Sequence, residues 1–271
     1  MKDINIILTR HGRYNNSRNK NDLNIGHITK EGKKEIENKT RERLARIVGS
    51  NLDDTTFFVL GSPTYWLSDK RFGRRAIETE IITIDTIKEE LRLLGLEEKE
   101  INRHFYSKPQ MYIRNIENSL SIDELRKKLA EPNVYDEAPE YIRKLRLKHG
   151  GMNQNFWREL ATSEEVKKYN ENAEGPSDLN NRIRKLLNYI VDWSKYYSKE
   201  HNTNICVFLI THGETMEPFI NNTHLSNIME FGYNDGIVFQ VTENGIIVKT
   251  EDREFIGPPK IISKTEIEER Y

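Results

Sequence analysis

Apolar residues in this chain fall in short dense runs separated by long polar stretches. Ile4-Asn5-Ile6-Ile7-Leu8-Thr9 and Ile205-Cys206-Val207-Phe208-Leu209-Ile210 have the nearly continuous apolar character of strands covered on both faces. Phe57-Phe58-Val59-Leu60 is a third such run, stopped by Gly61-Ser62-Pro63. Between the first and third runs the period changes. Ile36, Thr40, Leu44, Ile47 and Val48 recur at helical spacing, with Thr29 ahead of them as a cap and Gly49 behind them as a stop. A longer helix starts near Pro176 or Ser177. Its buried stripe is Leu179, Ile183, Leu186, Leu187, Ile190 and Val191, and it leads directly into the 205–210 strand.

The end of the chain follows a different pattern. Ile237-Val238-Phe239-Gln240-Val241 and Ile246-Ile247-Val248 flank Asn244-Gly245, a strong hairpin signal, and predict an antiparallel pair at one sheet edge. Strands alternating with helices predict an α/β fold: a three-layer α/β/α sandwich with a mainly parallel sheet and that antiparallel edge hairpin. Residues 88–172 are charged and poor in strand signals, with short helices expected within Leu91–Leu96, Leu120–Leu129 and Tyr141–Leu147. That stretch is too polar for a core of its own. It is expected to be a mainly helical cap inserted into one domain spanning 1–271.

Composition narrows the function classes. The chain has 271 residues, 36% hydrophobic and 31% charged, and its mean hydropathy of −0.76 is low for a domain that must bury a large core. A polar insertion accounts for that average. With 42 basic against 43 acidic residues, nothing draws the chain globally toward nucleic acid or a membrane surface, so neither is expected as a partner. The single cysteine, Cys206, excludes a disulfide framework or a thiolate metal site within one chain, and is read as a small buried apolar residue. No apolar run approaches the roughly 18 residues of a membrane span, and no secretory segment precedes Ile4. A soluble cytoplasmic location is the expectation, and a homodimer is compatible with it.

The candidate chemistry lies where the apolar runs end. The first ends in Arg10-His11-Gly12 and the last in Thr211-His212-Gly213-Glu214. Sites in open α/β sheets sit beyond the carboxyl ends of strands, so both histidines can face one crevice. After the 57–60 run comes Lys70-Arg71-Phe72-Gly73-Arg74-Arg75. Two histidines and several arginines near strand ends suit an anionic, oxygen-rich ligand, because the guanidinium fork matches phosphate. His27, His104, His149, His201 and His224 lack such a context and are read as surface or core residues.

Thr9-Arg10-His11-Gly12 resembles the signature of the histidine phosphatase superfamily, the phosphoglycerate-mutase-like proteins. Ile28-Thr29-Lys30-Glu31-Gly32 resembles that family's helix start, Arg75-Ala76-Ile77-Glu78-Thr79 its arginine-bearing helix, and Thr211-His212-Gly213 its second histidine motif. The four stand in the family's order and together cover about 1–85 and 174–260. The resemblance implies a phosphohistidine intermediate on His11, with Arg10, Arg75 and His212 holding the phosphoryl oxygens and no cofactor or metal required. It also implies a carboxylic acid to protonate the leaving oxygen.

Tyr135-Asp136-Glu137-Ala138-Pro139 resembles the acid-bearing segment of the phosphoglycerate-mutase-like Ser/Thr protein phosphatases. His11-Gly12-Arg13-Tyr14 and Phe255-Ile256-Gly257-Pro258-Pro259-Lys260-Ile261-Ile262 resemble that branch as well. Glu137 is therefore the expected acid, with Glu97, Glu98 and Glu100 as rivals on their distance from Arg75. The stretch from Pro63 to Arg75 is longer than the family uses, so Arg74 or Arg71 competes with Arg75 for the pocket. Asn102-Arg103-His104-Phe105-Tyr106 resembles a mutase segment but lacks its glutamate, which counts against a glycolytic mutase. Gly150-Gly151 with Trp157 fits a helix break and a core ring better than a lid hinge, and Arg182 is a candidate brace of the crevice. The function expected is a metal-independent phosphatase, a phosphoric monoester hydrolase acting on a phosphorylated small molecule or a phosphoprotein. A phosphoglycerate-mutase-type phosphotransferase and a non-catalytic phosphate-binding scaffold are the alternatives.

Overall fold

The computed structural model describes residues 2–17, 22, 24–62, 75–105, 139–151, 153–169, 171, 175–213, 215–216, 232–243, 245–250 and 261–262. Its sheet has six strands: β1 (Ile4–Arg10), β2 (Thr55–Gly61), β3 (Asn204–Thr211), β4 (Gly236–Thr242), β5 (Gly245–Thr250) and β6 (Ile261–Ile262). The spatial order is β2-β3-β1-β4-β5-β6. β2, β3 and β1 form a parallel core, and β4, β5 and β6 extend it antiparallel to the edge. The hairpin register pairs Thr242 with Gly245, so the glycine lies on the strand side of the turn. Asn244 lies outside the described residues.

Alternation along the apolar strands assigns the two faces. Ile4, Ile6, Leu8, Phe58, Leu60, Val207 and Leu209 face one side, where they pack with the stripe of α6 (Pro176–His201) that includes Leu179, Ile183, Leu186, Ile190 and Trp193. Ile7, Phe57, Val59, Cys206, Phe208 and Ile210 face the other. There they meet α2 (Arg75–Leu93) through Ala76, Ile87 and Leu91, and Leu44 just after α1 (Lys30–Arg43). This is the three-layer sandwich the strand pattern predicts. α1 begins as expected, with Thr29 Oγ1 accepting from the Gly32 N–H at 3.0 Å. Its last apolar positions, Leu44–Val48, wind as a π-helix and end at Gly49, whose φ of 60° is left-handed.

The region after α2 meets the expected helices in part, at Tyr141–Leu147. Leu91–Leu93 form the last turn of α2 rather than starting a helix of their own. α3 (Glu98–Ile101) follows, then α4 (Pro139–Lys148) and α5 (Gln154–Thr162). Leu120–Leu129 lies outside the described residues. A small core of their own joins α4 and α5: Tyr141, Leu145, Phe156 and Leu160, with Val166 behind them. The polar composition hid it, because five side chains suffice for a satellite cluster. Gly150 and Gly151 both have positive φ, and the Gly151 N–H returns to the Arg146 carbonyl at 2.9 Å, so this pair ends α4 as a helix break. The side chain of Trp157 lies outside the description. Among the described residues no helix is long and apolar enough to cross a membrane.

Candidate active site

Strand order brings the two histidine motifs together. β1 and β3 are parallel neighbours, and their register pairs Arg10 with Thr211. His11 and His212 are therefore the first residues beyond adjacent strands, and their rings meet edge-on with centroids 5.1 Å apart. Both are buried. A third contribution comes across the layer. α2 opens at the same sheet edge, and its first residue, Arg75, donates Nε–H to His11 Nε2 at 2.9 Å.

The tautomer of His11 follows from its partners. Nδ1 lies 2.8 Å from the Gly12 carbonyl oxygen, which can only accept, so Nδ1 carries the proton. Nε2 faces a guanidinium, which can only donate, so Nε2 carries the lone pair. Burial holds the imidazole well below the usual histidine value of 6.5, and the nearby charges of Arg75, His212 and Arg10 push it the same way. Its bond to Gly12 opposes them and is outweighed. The ring is thus neutral at physiological pH, with one directed lone pair. That is the state a nucleophilic histidine needs.

Gly12 sits in a space with no room for a side chain. A Cβ there would lie 2.5 Å from Ile36 Cδ1 and 3.2 Å from Asn234 Oδ1. Its N–H donates to Thr79 Oγ1 at 3.0 Å, and that hydroxyl donates in turn to the Arg75 carbonyl at 2.7 Å. One threonine therefore ties the turn that orients His11 to the helix that carries Arg75. Gly213 makes room on the other side, since a Cβ there would stand 3.3 Å from Arg10 Nε. The Arg10 side chain consequently lies against the backbone that follows His212.

Three residues that the motifs did not single out as site members also belong here. Tyr14 lies edge-on to His11, with ring centroids 5.2 Å apart, and Arg75 Cζ stands 4.9 Å from its ring centre. Tyr233 lies 5.9 Å from His11, with Arg10 Cζ 4.6 Å from its ring centre. The third is the buried Arg43 at the end of α1. Its Nη2 donates to Thr9 Oγ1 at 3.1 Å and to the Asn234 carbonyl, so it fastens the 233–235 turn to the end of β1. Asn234 itself is left-handed, with φ 64°, and its N–H donates to the His11 carbonyl at 3.3 Å. The available signal was topological. β4 runs antiparallel to β1, so the residues just before β4 lie at the edge where β1 ends.

The remaining candidates separate clearly. Glu97, Glu98 and Glu100 stand at the far end of α2, a 19-residue helix about 28 Å long, from Arg75. Glu97 and Glu100 form the capping box of α3, and Glu98 pairs with Arg92 at 2.9 Å. The stretch after α3 packs at the opposite sheet edge, where His104 Nδ1 bonds the Thr55 carbonyl at the start of β2. Those glutamates are therefore not at the site, and the reason is that α2 runs the full depth of the sheet. Glu137, Arg71 and Arg74 lie outside the described residues. Glu78, within the α2 motif, turns away from His11 and accepts from the Ile28 N–H at 2.8 Å and from His27 Nδ1 at 2.7 Å. Among the described residues no group of three or more His, Cys, Asp or Glu side chains could hold a metal ion.

Comparison with known proteins gives a structural answer only. No protein-family model matches the chain, and no curated protein sequence does. Solved structures match in 43 chains. Phosphoglycerate mutase from Bacillus anthracis is 14% identical over 92% of this chain and 93% of that one, with a TM-score of 0.51. A mycobacterial glucosyl-3-phosphoglycerate phosphatase is 13% identical over 91% and 96%, with a TM-score of 0.47. The first of these shows the fold.

Proposed function

We propose that this chain, which has the phosphoglycerate-mutase fold, is a histidine phosphatase that hydrolyses phosphomonoesters through His11. The observation that carries the reading is the neutral, directed Nε2 of His11 beside Arg75, with Arg10 and His212 completing one buried corner. A neutral nitrogen surrounded by cations is poorly matched to any ligand except an anion with an electrophilic centre.

The steps follow from that geometry. A phosphoryl group enters with its oxygens on Arg10, Arg75 and His212, and Arg75 Nε exchanges His11 Nε2 for a phosphoryl oxygen. That exchange frees the lone pair. Nε2 then attacks phosphorus in line, so that a P–N bond forms as the P–O bond to the leaving group breaks. Charge building on the equatorial oxygens meets donors already in place. The imidazolium formed keeps its Nδ1 proton on the Gly12 carbonyl. By resemblance, Glu137 protonates the leaving oxygen and afterwards takes a proton from the water that attacks phosphorus, which breaks the P–N bond and releases inorganic phosphate.

The test is p-nitrophenyl phosphate hydrolysis in the presence of EDTA, with acid-quench detection of an acid-labile phosphoenzyme. Turnover that survives EDTA and disappears in His11→Ala is expected. Undiminished turnover in His11→Ala would refute the assignment. A phosphoenzyme that rephosphorylates a sugar-acid product would instead mark a mutase, and phosphate binding without any turnover would mark a scaffold.

A further inference from the structure

The corner described above gathers two guanidiniums beside one histidine, and Arg75 is 4% exposed. Like charges in a poorly solvated corner repel, and an aromatic face beside each cation offsets part of that cost. Two aromatic rings are suitably placed. Arg75 Cζ lies 4.9 Å from the centre of Tyr14, and Arg10 Cζ lies 4.6 Å from the centre of Tyr233. Both distances fall within the roughly 6 Å over which a ring quadrupole attracts a cation. The two rings also meet each other edge-on, at 5.9 Å and 88°, with the electropositive edge of one toward the face of the other.

Each ring is held from behind. Tyr14 pairs with Ile28 in a β-bridge next to the cap of α1. Tyr233 precedes the left-handed Asn234, whose carbonyl and N–H are bound by Arg43 and by the His11 carbonyl. A non-glycine residue in that backbone region costs energy that the surroundings must offset, and such strain concentrates where a side chain has to be aimed.

We propose that Tyr14 and Tyr233 are positioning residues: an aromatic bracket that holds Arg75 and Arg10 in their phosphate-binding positions before any anion arrives. The inference rests on the phosphatase reading for the identity of that anion. The ring faces do the work, so the phenol hydroxyls are dispensable.

Isothermal titration with orthovanadate tests this. Wild type, Tyr14→Phe and Tyr233→Phe bind alike, while Tyr14→Leu and Tyr233→Leu bind about three- to thirtyfold more weakly. Leucine also changes packing, so a second series separates the two effects. Phenylalanine carrying one, two or three ring fluorines is placed at position 233 by nonsense suppression. Fluorines draw charge from the ring face with little change of shape, so affinity falls stepwise with each one. Equal affinity across that series overturns the bracket, whatever the leucine variants do. Wild type that binds no orthovanadate overturns the phosphatase reading, and this inference with it. Wild-type binding that survives fluorination unchanged overturns the inference alone.

Discussion

Thr79→Val removes one hydroxyl and keeps the side-chain shape. In the folded protein that hydroxyl accepts the Gly12 N–H and donates to the Arg75 carbonyl. The carbonyl retains its intrahelical partner, so its loss is small. Gly12 has no substitute. Its residue and Thr79 are both buried, and the donor is left without an acceptor at a cost of about 1–3 kcal/mol. Over 271 residues the unfolding entropy near the midpoint is about 0.57 kcal/mol/K, so Tm drops by about 2–5 °C.

The functional loss should be out of proportion to that change. The Gly12 peptide supplies the oxygen that fixes the His11 tautomer, so a tilt there misdirects Nε2. Misplacement of a reacting atom by about 1 Å costs on the order of a hundredfold. Calorimetry and initial rates on p-nitrophenyl phosphate measure the two effects separately, with Thr79→Ser as the control that keeps the hydroxyl. Thr79→Val is expected to lose about 10- to 100-fold in kcat/KM, with Thr79→Ser near wild type. A valine variant within 0.5 °C and twofold of wild type would show that the relay orients nothing.

Other consequences can be checked independently. His11 has a folded-state pKa below the unfolded value of about 6.5, so the unfolded chain binds the extra proton first, and stability falls as pH drops below about 6.5. His11→Asn should flatten that fall in urea melts between pH 7 and 5, and an unchanged slope would contradict it. Burial pushes the Cys206 thiol up to about 12, so native protein should resist a thiol-specific disulfide reagent at pH 8 until denaturant opens the sheet. Prompt labelling of one thiol per chain would mean that β3 is not covered as described. Gly12→Ala drives a methyl into Ile36 and should cost about 1–3 kcal/mol in chemical denaturation, together with most of the activity.

The fold was legible because burial wrote itself into three apolar runs. β1, β2 and β3 are covered on both faces, so each reads as a dense stretch, and none extends more than two residues beyond its run at either end. Helix period was equally clear for α1 and α6. Between 88 and 172 it located α4 alone, because α2 runs on through Leu93 and a five-residue cluster under α4 and α5 is too sparse to impose a period elsewhere. Charged side chains on short amphipathic helices dilute the signal, since one or two buried positions per turn are enough.

The site was legible where its residues follow a strand in sequence or, like Arg75, open a helix with a recognisable motif. His11 and His212 stand immediately after β1 and β3, and a reader who expects chemistry at carboxyl ends finds them. Tyr233 and Asn234 stand before β4, a position that normally means the opposite edge of a parallel sheet. The antiparallel switch between β1 and β4 reverses that rule, so the start of one strand and the end of its neighbour meet beside the same nitrogen. Gly232-Tyr233-Asn234-Asp235-Gly236 had a turn composition and nothing more specific. Its role follows once the register is known, because Arg43 reaches from α1 to hold that turn and Arg10 rests on the ring it presents. A sheet that turns antiparallel beside His11 can therefore draw the proposed phosphate-binding corner from both ends of its strands. In this chain the residues before β4 supply one aromatic face, Tyr233, and the end of β1 supplies the cation that rests on it, Arg10.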